Sequence, residues 1–106
     1  MNKLVPVTRV DAISPGGRIH FDLGEESVIL FNLNGAYYCI ADLCTHDGGP
    51  LEDGELVDCQ VECPRHGARF DIRTGKVTRL PAVEPIPTYQ VSVEDGIIYI
   101  ELPEFW

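Results

Sequence analysis

The chain has 106 residues, 44% hydrophobic and 24% charged, a globular balance with length for one small domain and one core. Seventeen acidic residues against eight basic ones give a net charge of −9, and no Lys or Arg occurs between Ile19 and Pro64, so that half would repel nucleic acid. The opening residues 1–9 lack the unbroken apolar run of a signal peptide, and no stretch is long and apolar enough to span a bilayer; a soluble, cytoplasmic protein is expected.

Short apolar or alternating runs between turn signals recur along the chain, which marks strands rather than helices. They predict strands over residues 4–10, 18–23, 27–33 and 36–41. The last two meet at Asn34-Gly35, a dipeptide that accepts the positive φ values of a type I′ hairpin turn. A stretch bearing cysteine and histidine follows at 44–50, and the acidic residues 51–55 are expected as a connecting loop. Residues 56–62 predict one strand leading into a second cysteine and histidine stretch at 63–66. Residues 68–72 lead away from it as a strand, with a turn at 73–76. Both stretches are thus expected at hairpin tips. Pro81, Pro85 and Pro87 keep the next segment extended and outside any central ladder. A final hairpin is predicted from 88–93 and 97–102 around Asp95-Gly96, and the terminal Phe105 and Trp106 are expected to pack on the nearest sheet or to touch a partner. No repeat and no low-complexity segment interrupts this all-β pattern.

Cys44-Thr45-His46 is answered, after sixteen intervening residues, by Cys63-Pro64-Arg65-His66. Two such pairs suit a binuclear iron-sulfur centre in which two thiolates hold one iron and two imidazoles the other. A Cys-x-His step sets its donors pointing apart, whereas a structural zinc ion is usually gripped across two to four intervening residues. Cys63-x-x-His66 suits either metal. Gly48 and Gly49 follow His46, and Gly67 follows His66, so each pair ends where the backbone can turn sharply and bring N–H groups close to sulfur.

The segments Cys44-Thr45-His46-Asp47-Gly48-Gly49-Pro50 and Cys63-Pro64-Arg65-His66-Gly67-Ala68-Arg69-Phe70-Asp71 resemble the two cluster-binding loops of Rieske [2Fe-2S] proteins. The resemblance implies an antiparallel β-sandwich over 1–106 with a small cluster-binding subdomain at about 42–82, built from two hairpin loops. It implies one [2Fe-2S] cluster held by Cys44, His46, Cys63 and His66, with the reduced electron on the histidine-bound iron near the surface. Rieske proteins of cytochrome bc complexes carry a disulfide between the loops, at positions that match Gly49 and Arg65, so no such bridge forms here. They also offer serine and tyrosine hydroxyls where this chain has Ala68 and Phe70. Fewer hydrogen bonds to sulfur place the potential toward the low end of the Rieske range, near about −150 mV. The Leu80-Pro81-Ala82 portion is expected either to cover the cluster or to be a plain linker.

The function so implied is that of a one-electron carrier, a Rieske ferredoxin passing electrons from a flavin-dependent reductase to a terminal oxygenase that docks near His46 and His66. One alternative is a Rieske small subunit of a larger reductase such as assimilatory nitrite reductase; another, of a different class, is a structural zinc module. An enzyme acting alone is not expected. Of the three histidines only His20 lies outside the pairs, too few for a mononuclear iron site, and a Cys63–His66 nucleophile would leave Cys44 and His46 unexplained. Cys39 and Cys59 are expected to pack in the interior, with a mutual disulfide or a four-cysteine zinc site as the alternatives. Arg65, Arg69, Arg73, Lys76 and Arg79 form a basic run against the acidic half. It reads either as a solvated surface or as an orienting patch for docking.

Overall fold

A computed structural model describes residues 2–103. Its strands are β1 (Asn2–Arg9), β2 (Arg18–Leu23), β3 (Glu26–Leu33), β4 (Ala36–Ala41), β5 (Glu55–Val57), β6 (Gln60–Glu62), β7 (Arg69–Asp71), β8 (Val77–Arg79), β9 (Thr88–Tyr89), β10 (Val91–Glu94) and β11 (Ile97–Pro103). All pairings are antiparallel, in three sheets ordered β1-β11-β10, β2-β3-β4-β9 and β5-β6-β7-β8. Among the described residues, no helix is long and apolar enough to cross a membrane.

The run Val28-Ile29-Leu30-Phe31 in β3 has no polar side, and the fold buries both faces of that strand. Val28 and Leu30 join Cys39 from β4 and Ile98, Ile100 and Leu102 from β11 in a core between the first two sheets. Ile29, Phe31 and Ile40 face the other way, into a second core with Leu51, Val61, Phe70 and Ile72. The single core expected from chain length is therefore two, separated by one sheet. A sandwich forms below that sheet and the small third sheet sits above it.

Two predicted hairpins form at their predicted turns: Asn34 and Gly35 have φ of 54° and 91°, Asp95 and Gly96 of 52° and 76°. The first is held from within, since the buried Asn32 accepts the Gly35 N–H at 2.8 Å and donates to the Ile13 carbonyl at 2.8 Å. β1 is an edge strand, so Pro6 is tolerated there, beside an irregularity in register.

Four local expectations change. Residues 56–62 are not one strand but the β5–β6 hairpin, in which Val57 pairs with Gln60 around Asp58, at φ 55°. An aspartate tolerates that left-handed conformation, and the resulting turn leaves no run of small residues to announce it. β8 was not expected, and 88–93 divides at Gln90 so that β9 pairs with β4 while β10 pairs with β11. The stretch at 63–66 is the tip of the β6–β7 hairpin as expected, but that at 44–50 links β4 to β5, which lie in different sheets. The expectations for Phe105 and Trp106 lie outside the described residues.

Candidate metal centre

The two cysteine-bearing loops share one backbone plan. In the first, the Gly48 N–H donates to the Cys44 carbonyl at 2.7 Å and the Cys44 N–H to the Gly49 carbonyl at 2.8 Å. In the second, the Gly67 N–H donates to the Cys63 carbonyl at 3.0 Å and the Cys63 N–H to the Ala68 carbonyl at 2.7 Å. Gly48 and Gly67 both have φ of 77°, the left-handed region that closes each loop and favours glycine. Each cysteine therefore leads a tight loop whose next residues face outward.

The loops meet. Cys44 and Cys63 are fully buried in the upper core, beside Ala82. His46 and His66 are exposed, with ring centroids 5.1 Å apart in an edge-on arrangement. A carboxylate oxygen of Asp47 lies within 4.8 Å of both sulfurs, and one lies equally near ring nitrogens of both histidines. All four expected ligands are thus gathered at one place, with sulfur inside and imidazole outside. Burial pushes the Cys44 thiol up, with the nearby Cys63 adding to it, while backbone groups of Asp47 and His46 work the other way. A centre that binds the sulfur as thiolate offsets that cost. This graded donor set, two soft sulfurs in a dry core and two imidazoles at the surface, fits a mixed-ligand iron-sulfur cluster.

Further contacts hold the loops to the scaffold. Asp42 Oδ1 accepts the Leu51 and Glu52 N–H groups at 2.6 and 3.0 Å, which closes the base of the first loop. Thr45 Oγ1 donates to the Glu84 carbonyl at 2.7 Å, and Ala82 is buried against the cysteines. The 80–84 segment is thus tied to the site through Ala82 and the Glu84 carbonyl, while Leu80 and Val83 stand exposed. Beneath the first loop, Arg18 donates to the Glu52 and Gly54 carbonyls at 3.0 and 2.5 Å and stacks over Phe31, 5.1 Å from the ring centroid.

His20 is far from idle. Its Nε2 lies 3.0 Å from Asp22 Oδ1, its Nδ1 2.8 Å from Asp42 Oδ2 and 3.7 Å from Glu52. Desolvation alone would lower its pKa, but the Asp22 hydrogen bond and the charges of Glu52, Asp22 and Asp42 together raise it. Cys39 packs in the lower core, its thiol pushed up to about 12 by burial. Cys59 sits in the β5–β6 turn, partly exposed, not in a strand interior. No disulfide joins Cys39 to Cys59, and Cys39 lies in the lower core while Cys44 and Cys63 lie in the upper one, so the four cysteines do not converge on one site.

The basic run is not an open patch. Arg65 pairs with Asp47, Arg69 and Arg79 with Glu62, and Arg73 with Asp71. Sequence reasoning missed all of these pairings and the roles of Asp42 and Thr45. Opposite charges at one position in each loop were the only advance sign of the Asp47–Arg65 pair.

The family model of the Rieske [2Fe-2S] domain matches residues 3–90. The 3-phenylpropionate/cinnamic acid dioxygenase ferredoxin subunit of Escherichia coli (strain K12) is 47% identical over 78 residues, 73% of this chain and 74% of that protein. The ferredoxin of carbazole 1,9a-dioxygenase from Nocardioides aromaticivorans IC177 superposes with a TM-score of 0.83 at 34% identity, over 90% of this chain and 95% of its own. A complex of reduced oxygenase and oxidized ferredoxin in carbazole 1,9a-dioxygenase holds a chain with a TM-score of 0.86 at 26% identity, covering 92% of this chain and 91% of that one. The chain accordingly belongs to the Rieske [2Fe-2S] domain family, carries one cluster of that type, and is an electron-transfer ferredoxin rather than an oxygenase.

Proposed function

We propose that Cys44, His46, Cys63 and His66 are the four ligands of the cluster, within a single Rieske domain spanning 1–106 whose cluster-binding portion is about 42–82. The observation that carries this is the meeting of the two loops: both sulfurs lie in one core while the two imidazole rings stand 5.1 Å apart at the surface. When bound, the cluster accepts and returns a single electron. The residues around it set the terms. Cys44 and Cys63 hold the inner side away from water, where sulfur charge is costly unless met by metal and N–H donors. His46 and His66 form the outer edge, so a partner that covers them comes within short reach of the centre.

The partners we infer are a flavin-dependent ferredoxin reductase as donor and the terminal oxygenase of a ring-hydroxylating dioxygenase as acceptor, in the cytoplasm, both docking near His46 and His66. The ferredoxin name of the Escherichia coli relative and the oxygenase complex of the carbazole system support this reading. The long acidic half of the chain supplies a field for basic docking surfaces. Because the arginines of the basic run are already paired within the chain, orientation rests on the acidic surface and the exposed imidazoles.

The test is electron paramagnetic resonance of the dithionite-reduced protein, with metal analysis. A Rieske-type signal with two irons per chain, lost in Cys44→Ser, Cys63→Ser, His46→Ala and His66→Ala alike, is expected. A silent protein with stoichiometric zinc, or a signal that survives any one of these substitutions unchanged, overturns the assignment.

A further inference from the structure

Across the mouth of the site the two loops are joined by a forked ion pair. Arg65 of the second loop donates from Nε and Nη2 to the two carboxylate oxygens of Asp47 in the first, with Nη2 at 3.0 Å from Oδ1. Asp47 is itself fixed, since its Oδ1 accepts the Gly49 N–H at 2.9 Å. The guanidinium lies directly on Gly49: a Cβ built there would stand 2.7 Å from its Cζ and Nη2. A side chain at 49 would push the guanidinium aside, and Gly49 is not among the glycines whose backbone needs a positive φ. The Asp47 carboxylate faces the sulfurs and the imidazoles at once, and Oδ2 is 3.8 Å from His66 Nδ1.

From this geometry we propose that Asp47 and Arg65 form a non-covalent clasp that positions the two ligand-bearing loops and balances charge beside the cluster. The proposal rests on the ligand assignment above. The guanidinium of the second loop, packed on the bare Cα of Gly49, joins that loop to the first. A forked pair of this kind fixes both distance and orientation, which a single point contact does not. It is partly exposed, the side chains being 34% and 20% accessible, so salt weakens it. Each partner also cancels the other's charge. Removing only one leaves a net charge in the wall of the site, and the sign depends on which is removed.

The test uses the intact, cluster-loaded protein and reads midpoint potential and rate of cluster loss. Arg65→Gln leaves an unpaired carboxylate, so its potential falls below the parent value. Asp47→Asn leaves an unpaired guanidinium, so its potential rises above it. The double variant returns toward the parent potential yet still loses its cluster roughly three- to tenfold faster than the parent, as both single variants do. Arg65→Lys keeps the charge but not the fork, and restores the potential more fully than the lifetime. In the parent, high salt speeds cluster loss; in the double variant it does not. Should a substitution prevent folding, the salt dependence of the parent and the Arg65→Lys variant decide the matter. Potentials moving the same way in both single variants, or equal lifetimes in all, overturn the clasp. A parent with no Rieske-type signal would instead overturn the ligand assignment.

Discussion

Ile29 and Leu30 are consecutive residues of β3 that lie in different cores. The upper core carries the site and the lower one holds the sandwich, so damage to the two faces of one strand has separable effects. Leu30→Ala is expected to lower stability by about 2–5 kcal/mol, and Phe31→Ala by about 3–5 kcal/mol. Phe31 shares its core with Cys44 and Cys63, so its loss also speeds cluster release, while Leu30→Ala leaves the visible absorbance intact until the fold melts. Urea unfolding followed both by circular dichroism and by cluster absorbance checks this. Coincident transitions in both variants would contradict the division.

His20 makes stability depend on pH. Its folded pKa is raised, so its contribution is fully present below the unfolded value of about 6.5 and fades as pH climbs through the raised folded value. Melting temperatures of the parent and His20→Gln should therefore differ most below the unfolded value and converge as pH climbs past the raised folded one. A constant gap across that range would mean that shape, not charge, explains the loss.

The two cysteines outside the centre should differ in chemistry. Cys39 is 1% exposed and its thiol is pushed up to about 12, whereas Cys59 is partly open on a turn, with Sγ 3.9 Å from Asp71 Oδ2. Iodoacetamide on the native cluster-loaded protein, read by peptide mass spectrometry, should label Cys59 and leave Cys39 untouched. Cys59→Ser should keep full iron content. Labelling of Cys39 under native conditions would refute its place in the lower core.

Ala68 and Phe70 bring no hydroxyl into the upper core, and both are fully buried. Ala68→Ser would place a donor beside the sulfurs and favour the reduced, more negative state. The midpoint potential should rise by up to about 60 mV, the equivalent of tenfold in a one-electron equilibrium. Protein-film voltammetry measures it directly, and a potential that stays put or falls would separate these positions from the sulfurs.

Much of this fold is written locally. Alternation in β11, the apolar run of β3 and the Asn34-Gly35 and Asp95-Gly96 turns each depend on residues a few places apart, so pattern alone locates them. The β5–β6 turn was hidden because Asp58 adopts its left-handed conformation without a neighbouring glycine to signal it. β8 escaped notice because three residues are too few to show a period. The break at Gln90 arises where the chain passes from one sheet to another, which no local pattern records.

By itself, the order of amino acids determined the all-β class, the two cysteine and histidine pairs and the kind of centre that they suit, because backbone preference and donor chemistry belong to the residues themselves. Tertiary structure alone decided that β3 divides two cores, that Arg65 reaches Asp47, that His20 faces Asp42, and that Cys39 and Cys59 stay apart. Those relationships join residues distant in the chain. They exist only once packing has chosen which face of each strand is buried and which charges then lie within reach of one another.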